Sequence, residues 1–220
     1  MKKILYWFMS AVLFAACASE EPVDTAYGYL SFDDITLTCD GEVVPLSKAV
    51  DAGLQVQICK DGQVLPGHDY APGSDFSKRF ALPVGTYTVK AFTPDQQEAP
   101  NNALGHPVYS VASEPFQIVE GDLTTVSLVA PQINTGVRVT FAPAALSDFP
   151  DISVILTSLS GRKLTIGAAQ DGAYGYFNVP TDGRLTYEIK MSNADGESFS
   201  IPEKAIEVKA GNYEIAVCLD

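Results

Sequence analysis

Apolar and polar residues alternate one by one along most of this chain, and no stretch sustains a 3.6-residue repeat. Clear runs are Tyr87-Thr88-Val89-Lys90-Ala91, Val137-Arg138-Val139-Thr140-Phe141, Leu185-Thr186-Tyr187-Glu188-Ile189-Lys190-Met191 and Tyr213-Glu214-Ile215-Ala216-Val217. A period of two buries one face of a strand and wets the other, so it commits the chain to half-buried sheets. Turn signals separate the runs: Asp40-Gly41, Asp61-Gly62, Glu120-Gly121-Asp122, Ser160-Gly161, Thr181-Asp182-Gly183 and Gly211-Asn212. Short strands with this punctuation predict an all-β fold of antiparallel sandwich type.

The pattern is written twice. Phe80-Ala81-Leu82-Pro83-Val84-Gly85-Thr86-Tyr87-Thr88-Val89-Lys90 matches the stretch from Phe177 through Pro180 and Gly183 to Lys190, which has a slightly longer loop. Phe116 to Asp122 matches Ile206 to Asn212, and Gln55-Val56-Gln57-Ile58 matches Ser153-Val154-Ile155-Leu156. The offsets are domain-sized and keep one order, which predicts two tandem antiparallel β-sandwich domains and not a short-period solenoid. The boundary is expected at Ala130 to Gly136, where Pro131 cannot donate to a ladder. The expected domains are 27–131 and 132–220, packed end to end with limited freedom.

The motif Phe-x-Leu-Pro-x-Gly-x-Tyr-x-Val, Phe80 to Val89, sends one strand in, turns at Pro83 and Gly85, and returns Tyr87 and Val89 to the core. It resembles transthyretin-like (also Ig-like) sandwiches. The chain as a whole is similar to Bacteroidales lipoproteins of a domain-of-unknown-function family, themselves similar to fimbrillin-like major and minor fimbrium subunits. That resemblance covers most of residues 27–220. It implies a fimbria-associated or adhesin role. Fimbrillin-type stalk subunits mature by cleavage after an Arg early in the first domain. Here no Arg precedes Arg79, and Lys48 is the only basic residue in a plausible first loop. A lipid-retaining anchor, a non-polymerising relative or a stand-alone surface protein fits this departure better than a polymerising subunit.

The first 16 residues have a basic start, an apolar run from Ile4 and a small-residue exit at Ala15-Ala16, which read as a secretory signal. The run is too short for a spanning helix, which needs about 20 residues. Cys17 follows directly and resembles a lipobox cysteine, the site of lipid attachment, although Phe14 stands where Leu is usual. The alternative is an ordinary signal cleaved near Ala16 or Ala18. Residues 17–26 then form a small, acidic, Pro-containing tether. Acidic residues after the lipidated cysteine resemble a surface-export signal, so an outer-membrane, cell-surface location is expected, with the periplasmic face as the alternative.

The net charge is −13, and −15 once Lys2 and Lys3 leave with the signal. Such acidity argues against nucleic acid and against a polybasic membrane patch. Cys39, Cys59 and Cys218 remain after Cys17. Cys39 follows the apolar phase of its strand and Cys59 the polar phase of its own, so a bridge between them is not expected. No cysteine spacing suggests zinc, and no cofactor is expected.

Catalytic signals are thin. Ser74 or Ser77 with His68 and Asp69 could be drawn as a triad, but no nucleophile elbow accompanies them. His106 is the only other histidine. Asp61, Asp69 and Asp75 lack calcium-loop spacing, and turn preference accounts for them. Asp33-Asp34 are adjacent on a strand and should face opposite ways. The chain is therefore not expected to be an enzyme. Two tyrosine pairs, Tyr27 with Tyr29 and Tyr174 with Tyr176, offer flat rings with polar tips suited to sugars. Their alternative reading makes one of each pair core and the other ordinary surface. The loop Thr93 to His106 is the longest polar interruption of the first domain, a candidate for recognition or for disorder. The leading expectation is a surface lipoprotein binding fimbrial subunits or a host or surface protein through sheet edges or loops. A glycan-binding accessory protein is the alternative.

Overall fold

A computed structural model of the chain describes residues 25–39, 42–45 and 53–218. The expected signal, Cys17, Lys48 and residues 17–24 of the tether lie outside the described residues.

The N-terminal half contains β1 (Tyr27–Cys39), β2 (Glu42–Pro45), β3 (Gln55–Lys60), β4 (Gln63–Tyr70), β5 (Phe80–Pro83), β6 (Gly85–Phe92), β7 (Ser110–Ala112), β8 (Phe116–Ile118) and β9 (Leu123–Pro131). The C-terminal half contains β10 (Thr135–Phe141), a short helix α1 (Pro143–Asp148), β11 (Ser153–Thr157), β12 (Lys163–Gly167), β13 (Tyr174–Phe177), β14 (Arg184–Ser192), β15 (Ser198–Glu207) and β16 (Gly211–Val217). The all-β expectation holds. Strands form where β-branched and aromatic residues alternate, as in the Tyr87, Val89, Ala91 phase of β6, which is buried while Thr86 and Lys90 are not.

One pairing scheme occurs twice. In the first half β1 pairs antiparallel with β5 and parallel with β9, while β4, β3, β6 and β8 follow one another antiparallel in a second sheet. In the second half β10 pairs antiparallel with β13 and parallel with β16, while β12, β11, β14 and β15 follow one another antiparallel. The parallel pairs join the first and last strand of each half, so these two sheets are mixed, not purely antiparallel. β7 and β8 both pair with β6 and together take the place of β15, which pairs along β14 across a bulge near Tyr187.

The sheet register moves one of the expected matches. Tyr27 O accepts from Gly121 N at 2.9 Å, and Asn134 O accepts from Gly211 N at 3.1 Å. Gly28 and Thr135 are therefore equivalent, and their antiparallel partners are Leu82 and Phe177. Phe177 stands in the place of Leu82, two residues along from Phe80.

Buried apolar residues fall into two clusters. The first includes Leu30, Val56, Ile58, Leu82, Tyr87, Val89 and Leu128. The second includes Val137, Val139, Leu156, Ile166, Phe177 and Leu185. The Tyr87 hydroxyl crosses the hairpin turn to donate to Pro83 O at 2.6 Å, which satisfies a buried polar tip. Cys59 departs from its expected polar phase: it is fully buried and has no disulfide partner. The β3–β4 register shifts between Gln57 and Cys59, and that bulge breaks the alternation. A second bulge, between Phe32 and Ile35, leaves Asp33 and Asp34 both exposed, where simple alternation would have set them on opposite faces.

Candidate functional site

The long polar segment 93–109 is an insertion. It joins β6 to β7, whereas the equivalent β14–β15 connection is only residues 193–197. It is neither a free recognition loop nor disordered. It crosses to the C-terminal half and lies between the free edges of β12 and β13. Asn102 N donates to Lys163 O at 2.9 Å, Lys163 N donates to Asn101 Oδ1 at 2.9 Å, and Thr165 N donates to Asn102 Oδ1 at 3.3 Å. On the other sheet, Tyr176 N donates to Leu104 O at 2.7 Å and Asn178 N to Glu98 Oε1 at 3.1 Å. Two positive-φ residues, Asn102 (60°) and Gly105 (76°), let the arm turn twice in this space.

Arg162 fastens the arm. Its side chain is almost wholly buried, and it donates to three carbonyls: Ala103 O at 2.5 Å, Pro100 O at 3.4 Å and Tyr176 O. The guanidinium lies 4.2 Å from the Phe177 ring centroid. Five fixed donors and a flat face suit Arg to this role, which Lys could not fill. Burial pushes its pKa down from the ordinary value, and the nearby Glu98 carboxylate opposes that shift. A shallow groove of about 310 Å³ runs beside the arm between Glu98, Ser160, Leu159 and Val179. Ser160 Oγ donates to Glu98 Oε2 there at 2.9 Å, with no histidine among the lining residues to act as a base.

The junction between the halves is also tied down. Gln132 and Asn134 are buried polar residues. Asn134 accepts from Val108 N at 3.0 Å and donates to His106 O at 3.0 Å, while Gln132 Nε2 donates to Asn134 O at 2.9 Å. Buried polar groups that satisfy one another in this way hold a single geometry.

Tyr174 and Tyr176 point to one outward face of β13, with ring centroids 6.0 Å apart and planes inclined by 29°. Both are half-buried. Tyr176 lies over Gly136, where an added Cβ would come within 2.9 Å of the ring. The Arg138 guanidinium sits 5.5 Å from the Tyr174 centroid and pairs with Glu214 at 2.9 Å. The hydrogen bond from Arg138, with a second from Thr140, holds the Glu214 carboxyl below the ordinary range. The result is a flat strip of two phenols and an ion pair next to β16.

Tyr27 and Tyr29 also share an outward face, 49% and 43% exposed, with the buried Gly28 between them. Neither pair therefore divides into one core and one surface ring. The two pairs lie on different sheets and do not form one site. Leu123 stands beside Tyr29 in the parallel ladder. Val84 N donates to Ala26 O, and Gly121 N to Tyr27 O, each at 2.9 Å, which brings the exposed Val84 and Val119 to the same end of the sheet.

The drawn triad does not assemble. His68 lies on β4, where Nδ1 meets the Tyr70 hydroxyl at 2.7 Å and the ring packs edge-on against Tyr70 and Phe80. Burial pushes its pKa down. Ser74 Oγ donates to Ala71 O, and Asp75 accepts from Ser77 N. Asp69 accepts from Gln55 Nε2 at 2.6 Å. His106 Nε2 meets Asp95 O at 3.0 Å within the arm. Among the described residues no three His, Cys, Asp or Glu side chains cluster for a metal ion.

Sequence reasoning missed Arg162, and singled out the loop that holds Glu98, Asn101 and Asn102 without their contacts to the second half. Their contacts between the arm and the C-terminal half span 59 to 80 residues of chain, and no local motif marks an arginine that will be caged by carbonyls. The strongest available signal was the unequal length of the β6–β7 and β14–β15 connections.

No curated protein matches this chain. Among solved structures, a candidate adhesin from Bacteroides ovatus shares 11% identity at a TM-score of 0.43, covering 97% of this chain and 98% of that one. A candidate cell adhesion protein from the same species shares 10% at 0.44, covering 87% and 92%. A fimbrial anchor protein from Porphyromonas gingivalis shares 14% at 0.38, covering 79% and 80%. The model of a domain-of-unknown-function family, DUF4493, matches residues 26–218, and the chain belongs to that family.

Proposed function

We propose that the chain is a non-enzymatic cell-surface lipoprotein of adhesin or fimbria-associated type, anchored in the outer membrane by a lipidated Cys17. In this reading residues 1–16 are removed and 17–26 form the tether. Domains 27–131 and 132–220 present a protein-binding edge.

The observation that carries the reading is the unequal treatment of the sheet edges in the C-terminal half. Unpaired edges template further strand pairing, and proteins normally guard them. The arm closes β12 and β13. β15 carries Pro202, Glu203, Lys204 and Glu207, the residue types that blunt an edge. β16 pairs with β10 and, among the described residues, with no other strand. Gly211 N bonds Asn134 O and Val217 O accepts from Ala142 N, so the odd-numbered positions of β16 address β10. The backbone groups at Glu214 and Ala216 therefore face outward and can receive an added strand from a fimbrial subunit or another surface protein.

The test mixes the mature protein with candidate fimbrial subunits and follows amide exchange along β16. Protection at Glu214 and Ala216 is expected, together with its loss at Glu214 in Ala216→Pro, which removes an outward N–H and spares the β10 ladder. No complex and no protection would sink the pilus reading.

A glycan reading rests on the stacked Tyr174–Tyr176 pair, since two near-parallel phenols offer a sugar an apolar face with polar tips. Silence on a glycan array, unaltered by Tyr176→Ala, removes it.

A further inference from the structure

We propose that the end of the first sheet around Tyr27, Tyr29 and Leu123 rests against the lipid surface in which the anchor is inserted. The proposal depends on the lipoprotein reading above.

Three observations meet at this end of the molecule. The first is exposure of large apolar side chains: Tyr27 49%, Tyr29 43%, Leu123 45%, Val84 42% and Val119 49%. Tyr29 and Leu123 are ladder neighbours and Tyr27 lies two residues along the same outward face, while Val84 and Val119 stand in the turns at this end of the sheet. A contiguous exposed apolar patch marks a surface that is covered in use.

The second is charge. The chain is strongly acidic, yet at this end the outward positions Tyr27, Tyr29 and Ser31 of β1, Ala81 of β5, and Leu123 and Thr125 of β9 carry none, and the exposed Asp33 and Asp34 come only further along β1. Glu120 and Asp122, in the turn before β9, rim the patch. An acidic rim around an apolar, tyrosine-bearing centre fits a zwitterionic lipid interface, where phenol rings settle at headgroup depth.

The third is reach. Only residues 18–24 separate Cys17 from the described chain at Thr25. At about 3.3–3.6 Å per residue even a fully extended segment keeps Tyr27 within about 35 Å of the lipidated sulfur. The point where the chain enters β1 lies at the centre of the apolar end. A tether emerging there brings that end, rather than β16, toward the bilayer.

The experiment uses the full-length protein, processed in cells and reconstituted in phosphatidylethanolamine–phosphatidylcholine vesicles. The secreted Cys17→Ser variant in solution is the reference. Tyrosine nitration is read residue by residue by mass spectrometry. At least fivefold less nitration at Tyr27 and Tyr29 on vesicles is expected, with Tyr174 unchanged. Equal nitration on vesicles and in solution overturns the proposal. Protection that grows with protein density on the vesicle would mean that a second copy covers the face, and overturns it too. The mass of the N-terminal peptide separates the two ideas. If Cys17 carries no acyl chains the lipoprotein reading falls and takes the proposal with it, whereas acylation with equal nitration removes only the proposal.

Discussion

Arg162→Met should release the arm from the C-terminal half. Met keeps much of the volume and the contact with Phe177 but removes the guanidinium donor from Ala103 O and Tyr176 O, and from Pro100 O, which keeps the Ala103 N–H. A hydrogen bond to a charged group is worth about 1.5–3 kcal/mol net, and a desolvated cation–π contact about 2. The plain sum exceeds what single substitutions cost, because returning a buried guanidinium to water offsets part of it. A loss of about 3 kcal/mol in docking the arm is the reasoned value. At about 1.4 kcal/mol per factor of ten, that is roughly hundredfold. Native-state hydrogen exchange reads it directly. The amides of Asn102 and Tyr176, bonded across the junction to Lys163 O and Leu104 O, should exchange about a hundred times faster. The Val89 amide, bonded within the first half to Ser113 Oγ, should keep its rate. Arg162→Lys should recover only part of the loss, since one ammonium cannot reproduce the fork. If the two junction amides in Arg162→Met stay within threefold of the parent, the arm is held by its backbone pairing and the reasoning about Arg162 is wrong.

Gly28→Ala would place a Cβ 2.1 Å from Val119 O and 2.8 Å from Ile118 Cγ2, a clash with backbone that cannot rotate away. A loss of about 2–3 kcal/mol is expected in urea unfolding, and a midpoint unchanged from the parent would refute the close approach. Tyr87→Phe removes the bond to Pro83 O and should cost about 1–1.5 kcal/mol in the same assay. Glu214 should titrate below the ordinary glutamate value, because Arg138 and Thr140 stabilise its charged form. Any stability it adds is present above the unfolded pKa and lost as pH falls through the depressed folded one. In an NMR titration Arg138→Ala should raise its midpoint, and an unmoved midpoint would show that the ion pair does not form in solution.

The strand alternation, the turn residues and the doubled pattern carried the all-β class and the order of the repeated elements. They did so because a period of two is a local property that survives any arrangement of the sheets. The tyrosine pairs were legible as i, i+2 neighbours. Whether one ring would be buried was not, since that depends on Gly28 facing the core and Gly136 making room on the outer face. Cys59 was misread because a bulge in the partner strand's register breaks alternation without any mark in its own sequence.

The geometry on which the proposed function rests came almost wholly from the tertiary structure. Which strand edges are covered depends on where an arm of the first half lands on the second. That landing is fixed by Arg162 and by asparagine contacts spanning some 60 residues. The sequence by itself determined that this chain folds as repeated, half-buried sheets. Only the folded chain decided that the arm covers β12 and β13 while β16, among the described residues, pairs with β10 alone, because edge protection is a long-range hydrogen-bond match that no local period encodes.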